Sequence, residues 1–421
     1  MLFWLSANLI FPYSIFALPQ NGATVSGQVD ISNSVNVLNI HQHSQKAIIN
    51  WQSFDIHSGE RVQFVQPNID AAILNRVTGF QPSLINGLLT ANGNVFLVNP
   101  NGIIIGADGI IQTHGFIGST LNIDDTDFLN ERFIFNFQPG APLGRIINRG
   151  LISSRDSGYV SLLSPDIQNH GTIMVNMGKI HLAAGEKVQL SFVENNLISF
   201  AIDPKDMPST TKSTIDNSGQ INAQAGEVLM AAQTASDLVH SVVNNSGVIE
   251  AKSLVNDNGV IRLTGADEIQ NTGKIDVSGE TGGQIDISAH TIMITEESSI
   301  NASGDTVGGT IRIGGGLHGD DESIPNAHNT FVGKNTLIQA NANESGDGGN
   351  IFLWSDNTTI FTGSIAANGG KKFGNGGFVE VSGKNQLYFD GQVSTKAHNG
   401  LNGSLLLDPQ KYTLSMAALM I

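Results

Sequence analysis

The side chains of this sequence that could ligate a metal, move a proton or attack a carbonyl are few and thinly spread. His41 and His43 stand two residues apart on one face of a predicted strand, which turns two imidazoles toward the same space. No third ligand accompanies them, so packing or exposure is the ordinary use of such a pair. Ser303-Gly304-Asp305 and Ser345-Gly346-Asp347-Gly348-Gly349 have the composition of calcium-binding corners. The tandem nonapeptides that build such sites in solenoids are missing, and an ordinary loop accounts for both. Gly314-Gly315-Gly316-Leu317-His318-Gly319 is glycine-rich, but no helix is predicted after it to complete a phosphate cradle. Asn357-Thr358-Thr359 is an acceptor sequon of a kind that arises readily in a chain this rich in asparagine. HExxH, GxSxG and Walker patterns do not occur, and with no cysteine a thiol nucleophile is excluded. Arg262, Asp286 and Arg312 occupy strand positions but are too scattered in sequence to argue a polysaccharide-cleaving face. The expectation is therefore no metal, no cofactor and no catalytic centre.

The elements that would position any site are better specified than the site itself. Gly93 to Gly106 reads as two apolar β runs, Val95-Phe96-Leu97-Val98 and Ile103-Ile104-Ile105, joined by Asn99-Pro100-Asn101-Gly102. Asn99 can accept from the backbone two residues on, Pro100 presets φ, Asn101 tolerates the bridge region and Gly102 accepts positive φ. Runs so nearly unbroken predict strands buried on both faces. With 421 residues, 48 glycines and 14% charged residues, the chain reads as all-β with a large core. A net charge of −16 and a pI near 4.9 argue against a nucleic-acid partner and against a polybasic grip on anionic lipid.

Met1 to Ala17 is apolar almost throughout and reads as a signal peptide cleaved after Ala17, although its positive n-region is missing. From Asn21 to Phe137 short strands follow one another without a repeat, as expected of a cap and the first turns of a solenoid. Pro139-Gly140-Ala141-Pro142 is a plausible boundary. Beyond it two phrases alternate. The first is Asn-x-Gly-x-Ile, beginning at Asn148, Asn169, Asn217, Asn245 and Asn271. The second is a glycine followed by an alternating strand, beginning at Gly158, Gly178, Gly226, Gly259, Gly283, Gly309, Gly349 and Gly377. Intervals of about 20 to 28 residues match one coil of a parallel β-solenoid, and the longer step from Gly178 to Gly226 implies two coils or an insertion. Inward Ile, Leu and Val would stack coil on coil, with glycine giving the corners positive φ and asparagine tying down local backbone groups.

The sequence resembles the N-terminal two-partner-secretion domain of the filamentous haemagglutinin family. The resemblance is carried by Leu18-Pro19 with Gly22, Ile48-Ile49-Asn50-Trp51-Gln52-Ser53-Phe54, Val62 to Asn68, Leu74-Asn75-Arg76-Val77-Thr78-Gly79, Ser83 to Gly87, Ala91 to Ile103, and Gly118-Ser119-Thr120-Leu121. It implies a right-handed, single-stranded parallel β-helix with an N-terminal cap. It also implies passage of the inner membrane by the Sec translocon and recognition by an outer-membrane β-barrel transporter with periplasmic POTRA domains. Asn99, Pro100, Asn101 and Gly102 match a secretion-critical motif of the family, and Gln66-Pro67-Asn68 is the nearest match to its second motif.

The expected organisation is a signal peptide at 1–17, a secretion domain at 18–140, a β-helical shaft at 141–408 and an apolar tail at 409–421, the last suggesting a truncated or split exoprotein. The expected product is a monomeric adhesin-like exoprotein, secreted or held on the surface of a Gram-negative bacterium, that meets a host or neighbouring cell. Two alternatives remain open at this stage: the N-terminal fragment of a contact-dependent growth-inhibition toxin or haemolysin, and a β-helical polysaccharide-active enzyme.

Overall fold

Short strands that alternate an inward Ile, Leu or Val with an outward residue have no core of their own and acquire one by stacking on copies of themselves. The computed structural model describes residues 18–191, 212–233, 241–252, 259–295 and 297–414, so the cleavage position Ala17 and the tail from 415 lie outside the described residues. Nearly all of its strands join one 36-stranded sheet that winds as three parallel columns. The first column runs through Lys46–Trp51, Ala72–Val77 and Asn94–Val98 and on to Phe378–Val381 and Ser404–Leu406. The second includes Ser83–Ile85, Ile103–Ile105, Arg145–Asn148, Asp166–Asn169 and, far along, Gln386–Phe389. The third begins with Val37–Gln42, Arg61–Val65 and Leu88–Ala91 and reaches Gln392–Ser394. The chain visits the columns in turn, which is a parallel β-helix.

Register follows the apolar phrase. In the second column Ile103, Ile146, Ile167, Ile215, Val243, Ile269 and Ile292 pair coil to coil, and each is fully buried. Each such side chain contributes about 1.5–3 kcal/mol of burial, and a shift by one residue would turn the whole ladder outward. The long step from Gly178 to Gly226 is an insertion: Lys179–Ala184 pairs directly with Glu227–Ala232 as neighbouring coils.

The N-terminal end is closed by antiparallel strands. Ala23–Ser26 lies against Lys46–Trp51, and Val29–Ser34 against Val37–Gln42. A reversed strand cannot template another parallel coil, so this edge is blunted. Gly22 lies flat on the Trp51 ring, where an added Cβ would come within 2.5 Å of a ring carbon.

The repeat glycines do not act as the sequence suggested. None of those opening or punctuating the two phrases has positive φ. They are small because coils nearly touch there: a Cβ on Gly219 would lie 2.1 Å from the Gly171 carbonyl oxygen, and one on Gly226 equally close to that of Gly178. Positive φ falls instead on the preceding residues Ser157, Met177 and Ala225. The asparagines also act between coils. Asn148 donates to Asn169 (2.8 Å), Asn169 to Asn217 (2.7 Å), Asn217 to Asn245 (2.8 Å) and Asn245 to Asn271 (2.7 Å), a buried amide ladder.

One departure from all-β matters. The acidic stretch after Leu121 forms a short helix, Asp125–Leu129, with Asp125 and Asp127 in its first turn, where the helix dipole favours them. It belongs to an insertion whose strands Asn122–Ile123 and Phe133–Asn136 are joined by Lys187–Leu190, from the later insertion that follows Lys179–Ala184, in a small antiparallel sheet. That sheet covers the outer face of the first column. Ile48, Leu74, Phe96, Val98 and Ile117 are sealed beneath Phe128, Phe135 and Val188. Val95 and Leu97 meanwhile face the coil interior, which is why Asn94–Val98 is buried on both faces.

Candidate functional site

Leaving the first column at Val98, the chain turns sharply to enter the second at Ile103. The Gly102 amide donates to the Asn99 carbonyl (3.0 Å), closing a four-residue turn, and the Asn101 amide donates to Asn99 Oδ1 (3.0 Å). Gly102 has φ near +124°, and an added Cβ would press on the Arg145 carbonyl oxygen at 3.1 Å. All three features follow from the residue types.

The side chains reach beyond the turn. Asn99 is fully buried, and its Nδ2 donates to the Gln81 carbonyl (3.0 Å) and to Ser83 Oγ (3.0 Å). Asn101, half-buried, donates from Nδ2 to the Gly79 carbonyl (2.8 Å). Two asparagines thus grip the preceding corner on both sides of Phe80, whose side chain stands 88% exposed. Sequence reasoning had assigned nothing to Phe80, because an aromatic in a loop carries no periodic signal.

Next to the turn lies a cleft of about 800 Å³, lined among others by Thr78, Phe80, Pro100, Asn101, Asp124 and Pro142. Arg76 fixes its floor. The guanidinium donates to Asn122 Oδ1 (3.0 Å) and the Ile123 carbonyl (2.7 Å) and pairs with Asp125 (2.7 Å), binding the insertion to the coil. Asp127 is paired with Arg132 (2.7 Å), whereas Asp124 is exposed with no ion-pair partner among the described residues.

Gln66, Pro67 and Asn68 occupy a different corner, between the third and first columns. Gln66 is buried, donating to Gln42 Oε1 (2.9 Å) and the Ala71 carbonyl (3.1 Å) and accepting the Gly93 amide (3.0 Å). Asn68 Oδ1 accepts the amides of Asp70 (3.0 Å) and Ala71 (2.9 Å). The two motifs do not meet in one patch.

The other sequence candidates separate in the same way. His43 pairs with Asp30 (2.8 Å) and its ring meets that of His41 edge-on at 5.0 Å. Among the described residues no three potential metal ligands converge. Asp305 lies opposite Asn343 (3.5 Å), and Asp347 accepts the Asn375 amide (2.7 Å), so both glycine–aspartate corners use their carboxylates on neighbouring coils.

Arg262, Asp286 and Arg312 require a correction. Scattered in sequence, they are outward neighbours on consecutive coils of the first column, because each holds the fourth position of its glycine-led phrase. Asp286 lies 3.4 Å from Arg262 and 2.7 Å from Arg312; Glu227 pairs with Arg262, and Asp321 with Arg312 at 2.6 Å. The hydrogen bond to Asp286 raises the Arg312 pKa further. Each carboxylate in this ladder is neutralised by a guanidinium, which suits coil-to-coil adhesion rather than proton transfer. The glycine-rich stretch folds over the same face, where the His318 amide donates to buried Glu380 (3.0 Å) and burial pushes that carboxyl above its usual range. At another outward position His181 is 2% exposed, its Nε2 has no hydrogen-bond partner among the described residues, and burial, aided by Lys179, lowers its pKa to about 4.

Residues 15–277 match the sequence model of the family described as the TPS secretion domain. Over 271 residues the chain is 31% identical to the heme/hemopexin-binding protein of Haemophilus influenzae strain Rd, covering 63% of this chain and 29% of that protein. A second Haemophilus influenzae sequence of the same description is 30% identical over 284 residues, covering 62% and 30%. The chain therefore spans about 30% of the length of these curated relatives. Among solved structures, that of the HMW1 secretion domain from Haemophilus influenzae superposes with a TM-score of 0.77 at 30% identity, covering 94% of this chain and 100% of that one. The filamentous hemagglutinin secretion domain gives 0.48 at 15% identity, covering 75% and 99%.

Proposed function

Because this chain belongs to the TPS secretion domain family, we propose that its N-terminal region addresses a large adhesin-like exoprotein to a dedicated transporter and then nucleates the β-helix outside the cell. A TPS domain marks a secreted or surface exoprotein of a Gram-negative bacterium, exported through an outer-membrane transporter. In this reading the Sec translocon delivers the chain, and the POTRA domains of the transporter recognise residues 18–140 within the matched span. Residues 141–408 are the shaft, each coil forming on the edge of the one before. The observation that carries the reading is the Asn99–Gly102 turn. It is welded to the cap side of the molecule by side chains that do nothing for the coil core, beside an open cleft.

The shaft presents length and surface, and the coil-to-coil ion pairs leave it without a free acid–base pair at Arg262, Asp286 and Arg312. An adhesive role follows, with a host or neighbouring cell as the contact. The relatives described as heme/hemopexin-binding proteins favour a second reading, capture of haem or of its carrier protein by the exported product. Export of the chain from cells with and without the transporter tests the first premise: loss of extracellular protein without the transporter is expected, and undiminished export would overturn it. Titration of the exported chain with haem and with hemopexin separates the two readings, a saturable complex favouring the second.

A further inference from the structure

Resting on that reading, we propose that Phe80 is the residue the transporter grips and that Asn99 and Asn101 act by holding it out. A buried amide such as Asn99 has no surface to offer a partner. What its side chain does reach is the 79–83 corner. It donates to the Gln81 carbonyl at 3.0 Å while Asn101 donates to the Gly79 carbonyl at 2.8 Å, one bond on each side of Phe80. The Thr78 amide and hydroxyl add bonds to the Trp51 carbonyl (2.8 and 3.0 Å), fixing the corner to the coil beneath. A backbone tied at Thr78, Gly79 and Gln81 leaves the intervening side chain little freedom except to project, and Phe80 is 88% exposed at the wall of the cleft.

An aromatic ring presented to water from a tied backbone gains nothing for folding and favours binding, since the ordering cost of that backbone is met before the partner arrives. Pro100 and Pro142 extend the apolar wall, and Asp124, lacking a counter-ion among the described residues, lies on the same cleft. The occupant that fits is a periplasmic domain of the transporter presenting an apolar pocket for the ring beside a lysine or arginine for Asp124. Recognition then requires the motif without touching most of it.

The test uses the full chain and the purified periplasmic domain of its transporter as the probe. Phe80→Ala should weaken binding about 30-fold or more, the range of an interface hot spot, with the melting temperature unchanged because the ring is not packed in the core. Phe80→Leu should recover most of the loss. Asn101→Ala should weaken binding as well, and the double variant should bind no more weakly than Phe80→Ala alone, since both changes remove one contact. A purely structural role for Asn101 would instead give additive losses that track melting temperature. Wild-type binding with Phe80→Ala within twofold of it overturns the proposal while leaving the secretion reading intact. If the wild-type chain does not bind the periplasmic domain at all, the secretion reading fails and this inference falls with it.

Discussion

The N-terminal region and the shaft use the same three columns and hold them together by opposite means. In the shaft every device repeats: isoleucine over isoleucine, asparagine over asparagine, glycine against the glycine of the coil before. Before Arg145 the apolar stacking continues, but the side-chain hydrogen bonds are singular. Trp51 donates to Asn75 (3.0 Å), Arg76 is spent on the insertion, Gln66 on the Gly93 amide, and the two turn asparagines on the Phe80 corner. A repeat propagates but carries no address, because every coil looks like the next. Singular contacts cost sequence information and yield one distinguishable surface.

The largest effect that would break this contrast is steric. Gly219→Val puts a branched side chain where even a Cβ lies 2.1 Å from the Gly171 carbonyl oxygen, and neither backbone can retreat without breaking its ladder. A loss of roughly 5 kcal/mol or more is expected in urea unfolding; stability within 1 kcal/mol of wild type would refute the stacking account. Next comes Phe96→Ala in the N-terminal region. It empties the space between the Phe128 and Phe133 rings, which lie 5.1 and 5.4 Å from that of Phe96. The cost should be about 4 kcal/mol. Hydrogen exchange should rise at 122–136 and 187–190 while the shaft amides stay protected; uniform loss of protection would show the two regions to be one unit.

A smaller effect follows from His181. Its folded pKa of about 4 lies below the ordinary histidine value, so the unfolded chain takes up the proton first. The stability it permits is full above about pH 6.5 and declines as pH falls toward 4. Relative to His181→Leu, the wild type should lose about 2 kcal/mol between pH 7 and 5. Parallel pH curves would contradict the buried neutral imidazole. The smallest change concerns Met177, which holds φ at 48° on an exposed corner. Met177→Gly should stabilise by up to about 1 kcal/mol by relieving that conformation, and a loss in thermal unfolding would mean that the methionine side chain matters more than its backbone.

The same division decides what the sequence discloses. The turn at Asn99 was legible because its four residue types each have a local reason, and the shaft because its phrases recur. The charge ladder was hidden, since Glu227, Arg262, Asp286 and Arg312 are neighbours only once coils of unequal length are aligned. Comparing the fourth position of the phrases at Gly259, Gly283 and Gly309 would have exposed Arg262, Asp286 and Arg312, whereas Glu227 holds the second position of its phrase and reaches Arg262 across the register. The repeat glycines were misread because a lone sequence shows a missing side chain without showing the carbonyl that forbids one. The helix at Asp125 and the sheet over Phe96 were illegible for a different reason: the covering segments are specified by what they cover, and that surface belongs to strands far away in sequence, as when Val188 packs over Ile48. Phe80 had no pattern to announce it.

The contrast between address and repeat is tested most directly by export of two full-length variants in parallel, each also refolded in vitro. Asn217→Ala breaks the amide ladder between Asn169 and Asn245, and Asn101→Ala frees the Phe80 corner. The expected result is that Asn217→Ala loses about 2 kcal/mol of stability yet still reaches the medium through the transporter. Asn101→Ala should refold with wild-type β signal and stay behind in the periplasm. If Asn101→Ala is exported at the wild-type level while Asn217→Ala is retained, export reads the strength of the shaft, and the N-terminal turn is not its address.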